Sequence, residues 1–187
     1  MSIPDHVQHA QDNYFMMLAI EQAKQGLYTA RPNPAVGCVI VQSGEIVGQG
    51  FHPKAGEPHA EVFALRAAGS QAKAATAYVT LEPCSHYGRT PPCAEGLKAA
   101  GVSKVIAAMV DPNPAVSGRG LQILADAGIS VASCLLEQQA RDLNKGFLKR
   151  METGLPYVTC KMACSLDGKT ALNNGQSKWI TGPKARQ

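Results

Sequence analysis

The sequence contains no run of eighteen apolar residues, so it holds no candidate membrane-spanning helix. Its first residues, Met1 to Gln11, are polar and lack the apolar stretch of a secretory signal, which makes a cytoplasmic location the expectation. Charge is sparse: only 17% of residues are Asp, Glu, Lys or Arg, and the formal net charge of +4 is scattered rather than gathered into a basic stripe interleaved with aromatics. Electrostatics therefore call for neither nucleic acid nor a membrane surface as partner, and a small anionic substrate suits the balance equally well. Internal repeats and low-complexity tracts are missing too. Two glycine pairs, Gly48-Gln49-Gly50 and Gly118-Arg119-Gly120, never reach the third glycine of a dinucleotide loop and read as backbone turns.

What is present is an apolar chain with punctuation. With 45% hydrophobic residues in 187, there is material for one well-packed domain of about 150 residues and a remainder. Spacing predicts a helix over 12–25 with Asp12 as N-cap and Gly26 beyond its end, then a hairpin of strands 36–41 and 45–51 turned at Ser43-Gly44. Helix and strand then alternate: helices over 58–68, 92–100 and 121–127, strands over 76–81, 104–109 and 129–133, and a last helix over 137–150. This order predicts a three-layer α/β/α sandwich around one mixed sheet, with ligands at strand ends beside helix N-termini. The Gly/Pro punctuation of 151–156 reads as a linker between a domain at 1–150 and a second segment at 157–187, which opens with a strand-like run from Tyr157 to Cys164.

Six cysteines in such a chain are better read as thiols or metal ligands than as a disulfide framework. His59-Ala60-Glu61 opens a helix, and Pro83-Cys84 and Pro92-Cys93 supply two thiols at a strand exit and a helix start. One imidazole and two thiolates leave the fourth tetrahedral position of Zn²⁺ free for water, whereas a structural site would fill it with protein. Coordination lowers the pKa of such a water from about 15.7 to about 7. Glu61, two residues past the histidine, is placed to move the protons. His-x-Glu followed by paired cysteines is the signature of zinc deaminases, with one departure: eight residues, Ser85 to Pro92, separate the cysteines where the general pattern has two. The remaining thiols, Cys38, Cys134, Cys160 and Cys164, read as small buried hydrophobes.

Four strings narrow the reading. Arg31-Pro32-Asn33-Pro34-Ala35-Val36-Gly37, Gly56-Glu57-Pro58-His59-Ala60-Glu61, Glu82-Pro83-Cys84 through Pro92-Cys93, and Asp111-Pro112-Asn113-Pro114 closely resemble the bifunctional riboflavin-biosynthesis deaminase/reductase family, in which the eight-residue insert is usual. The resemblance, which spans the chain up to Arg150, implies a cytidine-deaminase-like fold, a zinc cofactor, and hydrolysis of the 2-amino group of 2,5-diamino-6-(5-phosphoribosylamino)pyrimidin-4-one, a phosphorylated small-molecule substrate. A homo-oligomer is also expected. It further implies that Asn33, His52, His86, Arg89, Asp111 and Asn113 line the substrate pocket. Beyond the linker, Lys161 to Thr170 and Gln176 to Thr181 resemble the opening of an NADPH-dependent reductase domain, which implies contacts of Ala163 and Trp179 with NADPH and of Ser177 with a ribose-phosphate substrate. About 30 residues cannot build a dinucleotide-binding domain, which takes on the order of 150. Reductase activity is therefore expected to be absent from this chain, with 157–187 either poorly ordered or packed on a neighbour.

Plainer readings stand beside these. His52 could be a solvated turn residue, Asn33 between two prolines could simply fix a turn, and Arg89 could be an ordinary solvated charge. Another nucleobase deaminase would keep the same metal and glutamate, and a zinc module without catalysis would keep the metal alone.

Overall fold

The structure, a computed structural model, describes residues 5–87, 91–114 and 116–186. It divides into two compact units, Met1–Pro156 and Tyr157–Gln187. In the first unit the described residues form helices α1 (Asp5–Lys24), α2 (Ala60–Ala68), α3 (Cys93–Ala99), α4 (Arg119–Asp126), α5 (Glu137–Leu143) and α6 (Lys145–Thr153). Its strands are β1 (Gly37–Gln42), β2 (Glu45–Phe51), β3 (Thr76–Val79), β4 (Lys104–Ala107) and β5 (Ser130–Ala132), ordered β2-β1-β3-β4-β5 across one sheet. β1 is antiparallel to both its neighbours, while β3, β4 and β5 run parallel, so the sheet is mixed as expected.

Successive side chains on a strand point to opposite faces, and that alternation builds two cores. Cys38, Ile40, Val79 and Val105 face one way, against Ala60 and Ala64 of α2, Leu97 of α3 and Leu124 of α4. Val39, Val41, Tyr78 and Ile106 face the other, against Met16 and Ala19 of α1, Ala140 of α5 and Leu148 of α6. Three layers result, in agreement with the expected cytidine-deaminase-like sandwich.

Several details differ from the expectations. α1 spans Asp5–Lys24, so the polar stretch from Asp5 to Gln11 is helical, and Asp12 is an interior residue rather than its cap. Its carboxylate is buried because it accepts a 2.6 Å hydrogen bond from the Tyr78 hydroxyl at the centre of the sheet. Gly48 and Gly50 are strand residues, not turn residues: a Cβ on Gly50 would lie 2.5 Å from Phe63 Cβ, and one on Gly48 would overlap the Ala64 carbonyl oxygen. Their bareness lets α2 lie close on the sheet. Gly118 does turn the chain, at φ 78°, but Gly120 belongs to α4, where a Cβ would collide with the Pro83 carbonyl oxygen.

The helix expected over 137–150 is two helices. Asn144 interrupts them at φ −118°, ψ 27°, because its side chain is engaged elsewhere. It accepts a hydrogen bond from Ala35 N–H at 2.8 Å and donates one to the Ala35 carbonyl at 2.9 Å. α6 then continues into the stretch read as linker and stops at Gly154, whose φ of 72° suits a helix end. Tyr157 to Cys164 is not a strand: with no partner to complete a ladder, the segment stays irregular. Of the four cysteines read as buried hydrophobes, only Cys38 is buried; Cys134, Cys160 and Cys164 are exposed, the last two because their segment joins no sheet. No helix among the described residues is long and apolar enough to cross a membrane.

Asn144 ties α6 to the loop before β1 through two buried backbone groups, and it can be tested directly. Asn144→Ala should lower stability by about 1–3 kcal/mol, the cost of stranding buried polar groups, seen as an earlier urea midpoint. An unchanged midpoint would show that the tie is dispensable.

Candidate metal centre

His59 precedes the first residue of α2, Cys84 lies beyond the end of β3, and Cys93 is the first residue of α3. These three positions are far apart in sequence and meet at one end of the sheet. Their ligand atoms all lie within 4.8 Å of one another. His59 Nδ1 is 3.3 Å from Cys93 Sγ and 3.6 Å from Cys84 Sγ. A zinc ion at ordinary bond lengths in a tetrahedron separates nitrogen from sulfur by about 3.6 Å, so the donors stand at ligand spacing.

The chemistry of the donors supports the same reading. The Cys84 thiol is pulled down to about 4, chiefly by a hydrogen bond from the Cys93 thiol, then by His59 and by the Cys93 backbone N–H, which points at its sulfur from 3.2 Å. Cys93 is driven the opposite way, first by that same hydrogen bond, then by burial and by Glu61. Two thiols this close oppose each other's ionisation, and a cation between them would favour both thiolates. His59 is raised, mainly through its hydrogen bond with Cys84.

Glu61 sits in the first turn of α2, 3% exposed, and its Oε2 has no hydrogen-bond partner. Burial lifts its carboxyl to about 7, opposed by His59 and assisted by Cys84. A divalent cation at the adjacent cluster would draw it down again. A buried carboxylate oxygen left without a partner is costly, and an incoming water or heterocycle would satisfy it.

The cluster opens on a cavity of about 260 Å³. Of the residues expected around the substrate, Asn33, His52, His86, Asp111 and Asn113 line it, together with Glu61 and Cys84. Arg89 lies outside the described residues. His52 is no solvated turn residue: it is 2% exposed, and burial lowers its pKa. Neutral, it donates from Nδ1 to the Pro58 carbonyl at 3.0 Å, so its Nε2 accepts from the Asn33 amide nitrogen at 3.0 Å. That relay turns the Asn33 carbonyl oxygen away from His52. Asp111 is buried, and the burial raises its pKa.

Residues 9–109 match the family model described as the cytidine and deoxycytidylate deaminase zinc-binding region. The chain belongs to this family. His59, Cys84 and Cys93 are thus the His/Cys/Cys set of a zinc-binding deaminase fold. Residues 156–187 match a second model, the RibD C-terminal domain. Among curated relatives, the riboflavin biosynthesis protein RibD of Escherichia coli is 62% identical over 95% of this chain, but over only 48% of its own length. Among solved structures, Acinetobacter baumannii RibD matches with TM-score 0.91 and 63% identity over 96% of this chain and 50% of its own. A Thermotoga maritima diaminohydroxyphosphoribosylaminopyrimidine deaminase/5-amino-6-(5-phosphoribosylamino)uracil reductase matches with TM-score 0.88 and 42% identity over 94% of this chain and 51% of its own. The chain spans about half the length of the relatives it matches.

In the second unit, Ser177 and Trp179 line one hollow with Asp167 and Lys169, and Ala163 is exposed and not among its lining residues. Glu82, beside Pro83-Cys84, belongs to no metal or deaminase signature in the sequence. Its carboxylate, 3% exposed, lines the cavity. An acid at the exit of an apolar strand, where burial is expected, was the available signal.

Replacing a ligand tests the centre. The intact protein should carry about one zinc per chain, and His59→Ala should fall well below that, as read by elemental analysis, with a lower melting temperature because a ligand that binds only the folded state stabilises it. Full zinc content in His59→Ala would remove the imidazole from the ligand set.

Proposed function

We propose that the chain is the deaminase half of a bifunctional riboflavin-biosynthesis enzyme and hydrolyses the 2-amino group of 2,5-diamino-6-(5-phosphoribosylamino)pyrimidin-4-one, giving 5-amino-6-(5-phosphoribosylamino)uracil and ammonia. The observation that carries this reading is the unpartnered, buried Oε2 of Glu61 beside a three-donor cluster, two of whose members, His59 and Cys84, line the same cavity as Glu61. High identity to the riboflavin biosynthesis protein RibD supports the choice of substrate over other deaminase substrates.

His59, Cys84 and Cys93 would hold a zinc ion, which when bound would supply a water ionisable near neutral pH. Glu61 does the proton work. It takes one proton from the water and delivers it to the ring nitrogen as the oxygen adds to the amidine carbon, then carries the remaining hydroxyl proton to the amino group, so that ammonia leaves as the carbonyl forms. Water is consumed, the C–N bond breaks, a carbonyl remains and ammonia leaves, so no redox partner is needed. Asn33, oriented by His52, presents its carbonyl oxygen as an acceptor for a ring N–H or amino group. His86, Asp111 and Asn113 contact the polar remainder of the substrate, and Arg89 is assigned to the phosphate. In a longer protein Ala163 and Trp179 would contact NADPH and Ser177 the ribose phosphate of the product. A cytosolic setting agrees with cysteines that are all free.

Glu61→Gln separates catalysis from structure. It should keep zinc and the fold while ammonia release from the diaminopyrimidine ribotide falls about 10²–10⁴-fold, the usual weight of positioned proton transfer. Equal turnover in the two proteins would end the proton-carrier role, and ammonia released from cytidine or guanine but not from the ribotide would end the substrate assignment.

A further inference from the structure

The segment from Asp111 to Leu121 forms one wall of the cavity and then the start of α4, and its backbone donors converge on one side chain. Glu82 Oε2 accepts from the N–H groups of Asp111 at 3.1 Å and Gly118 at 2.8 Å. Its Oε1 accepts from Gly120 at 2.8 Å and Leu121 at 3.4 Å. α4 has no side-chain cap of its own, and Gly120 is the residue whose bareness allows the helix start to approach the Glu82-Pro83 backbone. A carboxylate facing the N-terminal amides of a helix is favoured by the partial positive charge there. Here that carboxylate comes from the strand exit that also leads to Cys84.

We propose that Glu82 is a positioning residue for the substrate: its carboxylate clasps both ends of the 111–121 segment and so sets where Asp111 and Asn113 stand in the pocket. Asp111, held at its own N–H by Glu82, accepts the Asn113 N–H on Oδ1 at 2.8 Å, so the two pocket residues are fixed as a pair downstream of the clasp. The amides that the Glu82 carboxylate holds belong to the 111–121 segment, so its effect falls on recognition rather than on the metal or the proton carrier. The inference rests on the reading of this cavity as the substrate site.

Glu82→Gln keeps the shape but places an NH₂ group against two amide donors, since a primary amide offers one acceptor oxygen in place of two. In the full chain, with zinc content equal to the parent, hydrogen exchange should show the amides of Asp111, Gly118, Gly120 and Leu121 losing protection while the sheet keeps its own. KM for the diaminopyrimidine ribotide should rise about tenfold, with a much smaller change in kcat. The KM effect should largely vanish when Asp111→Ala is already present, because the two residues act in series. Should Glu82→Gln fail to fold, Glu82→Asp carries the same measurements with smaller effects, its shorter carboxylate reaching fewer of the amides. Unaltered exchange at those amides, an unchanged KM, or a KM effect of full size in the Asp111→Ala background would each overturn the proposal. If the parent protein releases no ammonia from the ribotide, the substrate reading fails by itself, and the exchange measurement still decides whether the clasp exists.

Discussion

One divalent cation needs three donor atoms at close spacing, and two of those donors are thiols that resist sharing a site as anions. The positions of α2, α3 and the β3 exit answer that constraint. His59 and Cys93 stand at the starts of two different helices, which bring their donor atoms to one end of the sheet. The Cys93 amide points at Cys84 Sγ, so the helix that brings one ligand also stabilises another. Glu61 shares a helix turn with the histidine and is left with an oxygen that the protein itself does not satisfy. The fold thus holds unfavourable electrostatics in place at one end of the sheet, and the two buried cores supply the stability that permits it.

Around that centre, the pocket is shaped by loops, and loops need anchors. The chain uses buried polar side chains bonded to backbone. Asn144 grips Ala35 by both its N–H and its carbonyl, next to the loop that carries Asn33. His52 is gripped by the Pro58 carbonyl and in turn orients the Asn33 amide. Glu82 gathers amides from the segment that carries Asp111 and Asn113. A hydrogen bond to backbone fixes a loop more tightly than apolar contact does, because it has a direction and is costly to leave unmade when buried.

The layer order, the hairpin and most helix ends were legible because hydrophobic periodicity and Gly punctuation are local signals. Local signals are silent where a distant partner decides the outcome. Asp12 looked like a cap because nothing nearby reveals that Tyr78 lies above it. Asn144 looked like an ordinary helix residue because Ala35 is far away in sequence. Gly48 and Gly50 looked like turns, since the crowding that requires glycine comes from α2.

The sequence by itself determined the donor set: the types and spacing of His59, Cys84 and Cys93, with Glu61 two places after the histidine, are properties of the chain alone. It also determined the alternation that yields a three-layer sandwich. Only the tertiary structure decided which polar groups lose water and what they bond instead. That is why the unpartnered oxygen of Glu61, the orientation of the Asn33 amide and the four donors around Glu82 appear only once the sheet is assembled: burial and hydrogen-bond geometry are set by residues distant in sequence and close in space.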